Sequence, residues 1–343
     1  MLIDAHFHFD SELTPDESVR YYRSFMKKYA IDKAIVLSYC QEGEVDLPTS
    51  NFKAAWLKKA MSPDIFGYMA LLHDFEKPLS KEDYLKQLED GIEMGFDGWK
   101  SIDGKPNSRK RLGMSLADSR FDLAYEKAEK LGFPIVYHVG DPEYYWHDPS
   151  AYWFYDSSYP TSKQLYGEID ELLLKFPLLR ITFAHFYFLS EHIDRAAAFL
   201  DAHPNVNFDI TPGREMFHGF NESPDAWRDF FKTYKNRIIW GSDVTNSLKN
   251  DGYSNDVYKL LTKVLPEGEP FYAIDATFTP LGLDADIIEH IRYKNQLAIT
   301  GDTPKEVNGK AVLRCIEEFR QKNIPLSAKD KKELDIIEKS FTI

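Results

Sequence analysis

The stretch Met1-Leu2-Ile3-Asp4-Ala5-His6-Phe7-His8-Phe9-Asp10 opens the chain, and its reading decides the fold. Leu2 to Phe9 predicts a strand, in which successive side chains point to opposite faces. His6 and His8 then share one face, while Ala5, Phe7 and Phe9 share the other. Two imidazoles one pleat apart on a rigid strand can both reach a single metal ion. A pair of hydrogen-bonded histidines satisfies the same pattern, so the choice rests on the remainder of the chain.

Outward from this strand, short β-rich runs recur at Lys33–Cys40, Ile65–Leu72, Gly95–Ile102, Pro134–Gly140, Arg180–Phe186, Val206–Thr211 and Ile238–Asp243. Several are almost continuously apolar, as strands buried on both faces are. Helix signals separate them. Thr14-Pro15-Asp16-Glu17 sets a capping hydroxyl before a first-turn proline and two acids, and Ser223-Pro224-Asp225 repeats the device. Ser80 and Ser190 are further N-cap candidates, and Gly132 and His203-Pro204 mark helix exits. Eight strands alternating with helices predict an α/β fold, a closed (β/α)8 TIM barrel. An open doubly wound sheet is the other architecture of this pattern, but no Gly-x-Gly-x-x-Gly turn follows a strand. The barrel takes the whole chain, 1–343, as a single domain, with strand 1 at 2–9 and strand 8 at 238–243. Helices at Asp284–Asn295, Thr303–Gln321 and Ser327–Lys339 make 284–343 a C-terminal helical extension.

Composition excludes several classes of function. Hydrophobic residues make up 43% and charged residues 28%, an ordinary globular balance. A net charge of −13 argues against a nucleic-acid surface. No apolar run approaches the roughly 18 residues of a membrane span, and strand-like sequence from Leu2 leaves no room for a signal peptide. Two cysteines, Cys40 and Cys315, in apolar surroundings suit a reducing compartment and provide no thiolate site. The expectation is a cytoplasmic protein with a small-molecule substrate, no nucleic-acid or membrane partner, and homo-oligomerisation left open.

The ionisable residues then fall into register. Strand 4 ends in Gly98-Trp99-Lys100, strand 5 in Tyr137-His138, strand 6 in Ala184-His185 and strand 8 in Gly241-Ser242-Asp243. A barrel interior is otherwise filled by branched apolar side chains, where an unpaired imidazole or charge is costly. Convergence on one divalent ion accounts for histidine and aspartate recurring at the same end of several strands. Imidazole and carboxylate ligands without a thiolate make zinc the leading candidate.

On these residues the chain resembles the amidohydrolase superfamily, in the branch of aminocarboxymuconate-semialdehyde decarboxylase and related metal-dependent hydrolases. The resemblance spans about residues 1–320. It rests on the His-x-His of strand 1, the single histidines of strands 5 and 6 and the Gly-Ser-Asp of strand 8. Phe176-Pro177-Leu178-Leu179-Arg180 leading into Ala184-His185, and His203-Pro204-Asn205-Val206, match the branch as well. It implies that His6, His8 and His138 are metal ligands and that Asp243 is a ligand or proton acceptor. His185 becomes an acid/base beside one metal, or a ligand if there are two. Lys100, if carboxylated, would bridge two metals, as a strand-4 lysine does in two-metal members.

A divalent ion in such a site lowers the pKa of water from about 15.7 towards about 7, and Asp243 or His185 handles the proton. Arg214, after strand 7, can clamp a substrate carboxylate or sit in a loop salt bridge. Arg109, Lys110 and Arg111 predict a solvated charge run, and the aromatic stretch Tyr144–Tyr159 a lid or ordinary loop packing. The expected function is metal-dependent hydrolysis of a C–N or C–O bond in an amide, ester or lactone. The alternatives are non-oxidative decarboxylation of an unsaturated or aromatic acid, and a metal-binding barrel that has lost catalysis.

Overall fold

The computed structural model describes residues 1–8, 13–147, 156–212, 214–245 and 251–342, without the side chains of Arg214, Glu215, Thr245 and Asp251. Eight parallel strands form the barrel: β1 (Ile3–His8), β2 (Lys33–Leu37), β3 (Ile65–Met69), β4 (Gly98–Gly104), β5 (Ile135–Val139), β6 (Ile181–Phe183), β7 (Val206–Asp209) and β8 (Ile238–Ile239). Each pairs with its successor in parallel register. A two-residue strand β9 (Val244–Thr245) pairs back onto β1, with Phe7 opposite Val244. Ala5 N–H donates to the Trp240 carbonyl at 3.1 Å and Asp243 N–H to the His6 carbonyl at 2.8 Å, which closes the barrel.

Helices α1 (Pro15–Tyr29), α2 (Ser50–Ala60), α3 (Lys81–Met94), α4 (Asp122–Leu131), α5 (Ser162–Lys175), α6 (Ile193–Ala202), α7 (Pro224–Thr233) and α8 (Asp251–Val264) run outside it. Thr14 and Ser80 cap α1 and α3 as the sequence predicts, each through a reciprocal capping box. Thr161 does the same for α5 with Gln164. Ser223 precedes α7 without a side-chain cap bond, and α6 starts at Ile193 behind His192, so Ser190 is not its cap. The last two helices, Gly309–Gln321 and Ala328–Thr342, pack against α2 and α3. Residues 303–308, expected to be helical, are extended or irregular chain. Among the described residues no helix is long and apolar enough to cross a membrane.

Two apolar cores hold these layers. A small one inside the barrel unites Ala5, Ile35, Leu37, Phe66, Tyr68, Val136 and Ile239. The larger lies between strands and helices and includes Phe7 against Tyr22 and Phe25 of α1. Ala5 and Phe7 therefore face opposite ways, against simple alternation. The register of β1 on β2 shifts between Asp4 and Phe7, and that irregularity turns Ala5 inward beside His6. His6 and His8 still share the inner face. Strands 6 and 8 are shorter than their apolar runs suggest, because each breaks where it delivers a polar residue to the barrel mouth.

At the opposite, N-terminal end, Lys58 and Asp97 form a buried ion pair at 2.6 Å, 3% and 4% exposed. Asp97 also accepts from the backbone N–H of Gly67 (2.9 Å) and Lys305 (2.8 Å), tying β3 to the C-terminal segment. Removing one partner of such a pair strands the other charge in the interior. Lys58→Met should therefore lower unfolding stability by about 3 kcal/mol in denaturant titrations. Metal uptake by the folded fraction should be unchanged, since the pair lies at the end away from the histidines.

Candidate metal centre

His6 and His8 stand at the C-terminal end of β1, with their Nε2 atoms 3.1 Å apart. Asp243 Oδ1 lies 3.4 Å from His6 Nε2 and 3.0 Å from His8 Nε2. On its other edge His6 Nδ1 meets Asp209 Oδ2 at 2.8 Å. A carboxylate only accepts, so Nδ1 of His6 carries the proton and Nε2 keeps its lone pair, aimed at His8 and Asp243. One donor atom from each of His6, His8 and Asp243 lies within 4.8 Å of the others. Two ring nitrogens and a carboxylate oxygen facing one another suit a cation, and the set is the N/O chemistry of a borderline divalent ion. His8 Nδ1 is buried without a hydrogen-bond partner among the described residues.

The local sequence explains the arrangement. A Cβ at Gly241 would lie 2.7 Å from His6 Cβ and 2.8 Å from Thr211 Oγ1, so only glycine lets strand 8 approach β1 here. Ser242 bonds to Asp4, and Asp243 follows in the left-handed region at φ 57°. After β6, His185, Phe186, Tyr187 and Phe188 all take φ between 52° and 55°. Such a conformation costs a non-glycine residue about 1–3 kcal/mol. Asp209 Oδ1 offsets part of it by accepting the His185 N–H at 2.8 Å. The turn sets the His185 ring 5.6 Å from His6 and 4.8 Å from His138, with Phe188 stacked on it at 5.3 Å.

His185 Nδ1 donates to the Thr211 carbonyl at 3.2 Å, which leaves its Nε2 lone pair free of that bond. His138 uses Nε2 on the Gly140 carbonyl at 3.1 Å, with Asp141 Oδ1 at 3.6 Å, so its lone pair sits on Nδ1. Strand β4 does not end at Lys100 but runs on to Gly104; Lys100, its third residue, is buried with Nζ 3.2 Å from His6 Nε2.

Electrostatics sharpen these roles. Burial drives His6 down to about 3, and Lys100 pushes the same way. Burial likewise lowers His185 to about 4 and His138 well below the usual imidazole range, so the rings are neutral at pH 7. Burial works to raise Asp243, but the His8 hydrogen bond and the potentials of His6 and His185 outweigh it and hold the carboxyl well below its ordinary range. Its side chain is 32% exposed, an ionised carboxylate open to the mouth. Lys100 is lowered by burial to about 8, against the pull of Asp243 and Asp209.

A family profile described as Amidohydrolase matches residues 3–295. The chain belongs to the amidohydrolase family. No curated protein matches its sequence. Among solved structures it is similar to an uncharacterized TIM-barrel protein from Bordetella bronchiseptica, at 15% identity and a TM-score of 0.57, over 88% of this chain and 99% of that one. It is similar to 4-oxalomesaconate hydratase from Rhodopseudomonas palustris at 12% identity and 0.57, over 94% and 100%. For 2,6-dihydroxybenzoate decarboxylase from Rhizobium the values are 14% and 0.51, over 87% and 98%. Identities this low speak for the shared barrel fold and not for one reaction.

Of the residues expected in this amidohydrolase site, His6, His8 and Asp243 come together as one donor set. Lys100 touches its edge, and His138 and His185 stand beside it as neighbours. The side chain of Arg214 lies outside the described residues, as do positions 148–155 of the aromatic stretch. Arg109 and Arg111 are not a solvated run: Arg109 forks onto Glu168 at 2.8–2.9 Å and Arg111 onto Asp46 at 2.8–3.0 Å. Sequence reasoning missed Asp209, whose only signal was an acid closing the run Val206-Asn207-Phe208. It also missed Glu42 and Lys105, an ion pair between the loop after β2 and the end of β4. Asp141 is a third omission, a buried carboxyl raised to about 7 by burial despite Lys105 and His185.

The metal-free protein should show two opposite pH dependences. Unfolded His185 takes a proton below about pH 6.5 that the folded ring refuses until about 4, so its contribution to stability falls as pH drops through that window. Folded Asp141 keeps its proton to about 7 while the unfolded chain releases it near 3.8, so its contribution is full below that and lost as pH rises to 7. Relative to wild type, His185→Asn should gain stability at pH 4.5 and Asp141→Asn at pH 8. Denaturant midpoints that differ from wild type equally at both pH values would contradict the assignments.

Proposed function

We propose that this amidohydrolase-family protein is a metal-dependent hydrolase of a C–N or C–O bond in a small, acidic or neutral amide, ester or lactone. The observation that carries the proposal is Asp243: an ionised carboxylate, partly open to the barrel mouth, 3.0 Å from His8 and 3.4 Å from His6. His6 Nε2, His8 Nε2 and Asp243 Oδ1 would hold the ion, zinc being the leading candidate for this donor set, and His138 would join through its Nδ1 lone pair. When bound, a divalent ion polarises a substrate carbonyl and acidifies water to a pKa of about 7.

Asp243 is charged at neutral pH and can accept the proton that water gives up in attacking the carbonyl. His185 is neutral there, its Nδ1 fixed on the Thr211 carbonyl, so a proton can be taken up and handed on at Nε2. Asp209 keeps His6 in the ligating tautomer. The two cysteines are unpaired and buried, which suits action in the cytoplasm on a small-molecule substrate.

A second proposal is non-oxidative decarboxylation of an unsaturated or aromatic acid, and Lys105 favours it. A decarboxylase must fix its substrate carboxylate, and Lys105 is a cation 23% exposed at the mouth, near His138. Hydrolysis needs no such cation, and Glu42 already neutralises this one, so hydrolysis is the preferred reading.

Asp243→Asn and His185→Asn should each lower turnover by roughly 10²–10⁴-fold, with melting temperatures within a few degrees of wild type. Zinc-loaded protein offered lactones, amides and unsaturated acids should open or cleave the first two, whether or not Lys105 and Arg214 are intact. Carbon dioxide release without hydrolysis, abolished by Lys105→Gln or Arg214→Ala, would establish the decarboxylase instead.

A further inference from the structure

Two of the three donors sit on opposite sides of the barrel's closing seam, His6 on β1 and Asp243 beyond β8. The seam has few regular strand bonds, because β8 is two residues long and β9 begins only at Val244. Beside the backbone bonds from Ala5 to Trp240 and from Asp243 to His6, a buried carboxylate ties its two sides together by side-chain contacts. Asp4, two residues before His6, is fully buried and accepts four hydrogen bonds. Oδ1 takes the backbone N–H of His6 at 3.2 Å and that of Ser242 at 3.0 Å. Oδ2 takes the Ser242 hydroxyl at 2.6 Å and the phenol of Tyr258 on α8. Tyr258 is itself wedged between Tyr29, stacked at 4.1 Å, and Trp240 at 5.2 Å.

The network reaches the residue immediately before Asp243 and the backbone of His6. Seam closure alone would be met by apolar packing, which carries no desolvation cost. A carboxylate with every lone pair committed instead fixes the separation of two particular residues. We propose that Asp4, together with Ser242 and Tyr258, is the positioning device that sets His6 against Asp243, and through that distance the site's affinity for a divalent cation. The inference rests on the metal-dependent reading above and adds to it residues that touch neither ion nor substrate.

The test uses the full-length, metal-stripped protein with cobalt(II) as a visible probe and zinc(II) in competition. Tyr258→Phe and Ser242→Ala each remove one donor to Asp4 without changing the apolar packing greatly. Each should weaken cobalt affinity about 10-fold, as loss of an outer partner of a metal ligand does, and shift the cobalt d–d absorption band. Asp4→Asn should weaken it further. Tyr29→Phe, whose hydroxyl bonds Asn255 outside the network, should bind cobalt as wild type does. Melting curves of the metal-free variants report folding separately. Wild-type affinity and an unshifted band in folded Tyr258→Phe and Ser242→Ala would overturn the positioning role and leave the hydrolase proposal standing. Failure of wild-type protein to take up cobalt or zinc would overturn both. If Asp4→Asn does not fold, the two milder variants decide.

Discussion

The contact on which the site depends is the one between Asp209 and His6. A single carboxylate at the end of β7 reaches the imidazole of β1 with one oxygen and the backbone N–H of His185 with the other. The first bond fixes which ring nitrogen of His6 keeps its lone pair. The second supports the left-handed turn that carries His185. Thr211 N–H donates to the same Oδ1 at 3.1 Å, so that oxygen is filled. Burial works to raise Asp209, but the contact with His6 and the other hydrogen bonds it accepts outweigh it and hold the carboxyl below its ordinary range. Without Asp209 the His6 imidazole would keep only the Thr211 hydroxyl at Nδ1, which can donate as well as accept, and the strained turn would lose its backbone anchor.

The barrel was legible because its evidence is local. Apolar runs of strand length and hydroxyl–proline–acid helix starts are properties of neighbouring residues, and α1 and α3 begin where Thr14 and Ser80 mark them. His-x-His and Gly-Ser-Asp were legible for the same reason. Asp209 was not: its partner lies 203 positions away, and only barrel closure brings them together. Asp4 hid similarly, since Ser242 and Tyr258 are 238 and 254 positions distant. The alternation rule failed at Ala5 because a register shift cannot be read from the pattern it interrupts. The shortness of β6 and β8 also escaped, as an apolar run does not reveal where the backbone turns left-handed. Arg109 and Arg111 looked solvated in sequence because their partners, Glu168 and Asp46, come from other segments.

The charges of the site set the terms on which a cation could enter. The chain as a whole carries −13, and among the described residues at its barrel mouth Asp209 and Asp243 are opposed by Lys100, and Glu42 by Lys105, which leaves one carboxylate in excess. The neutral rings contribute lone pairs instead of charge. His6 Nε2 has one such pair, and in this arrangement Lys100 Nζ approaches it at 3.2 Å. A lone pair donated to an ammonium proton is not available to a metal. On the proposed metal-dependent reading, cation binding would require Lys100 to move aside or give up its proton, and burial has already brought its pKa to about 8. The lysine is thus a competitor for the donor that Asp209 prepares. Its displacement would then enter the free energy of metal uptake alongside the three proposed ligand contacts.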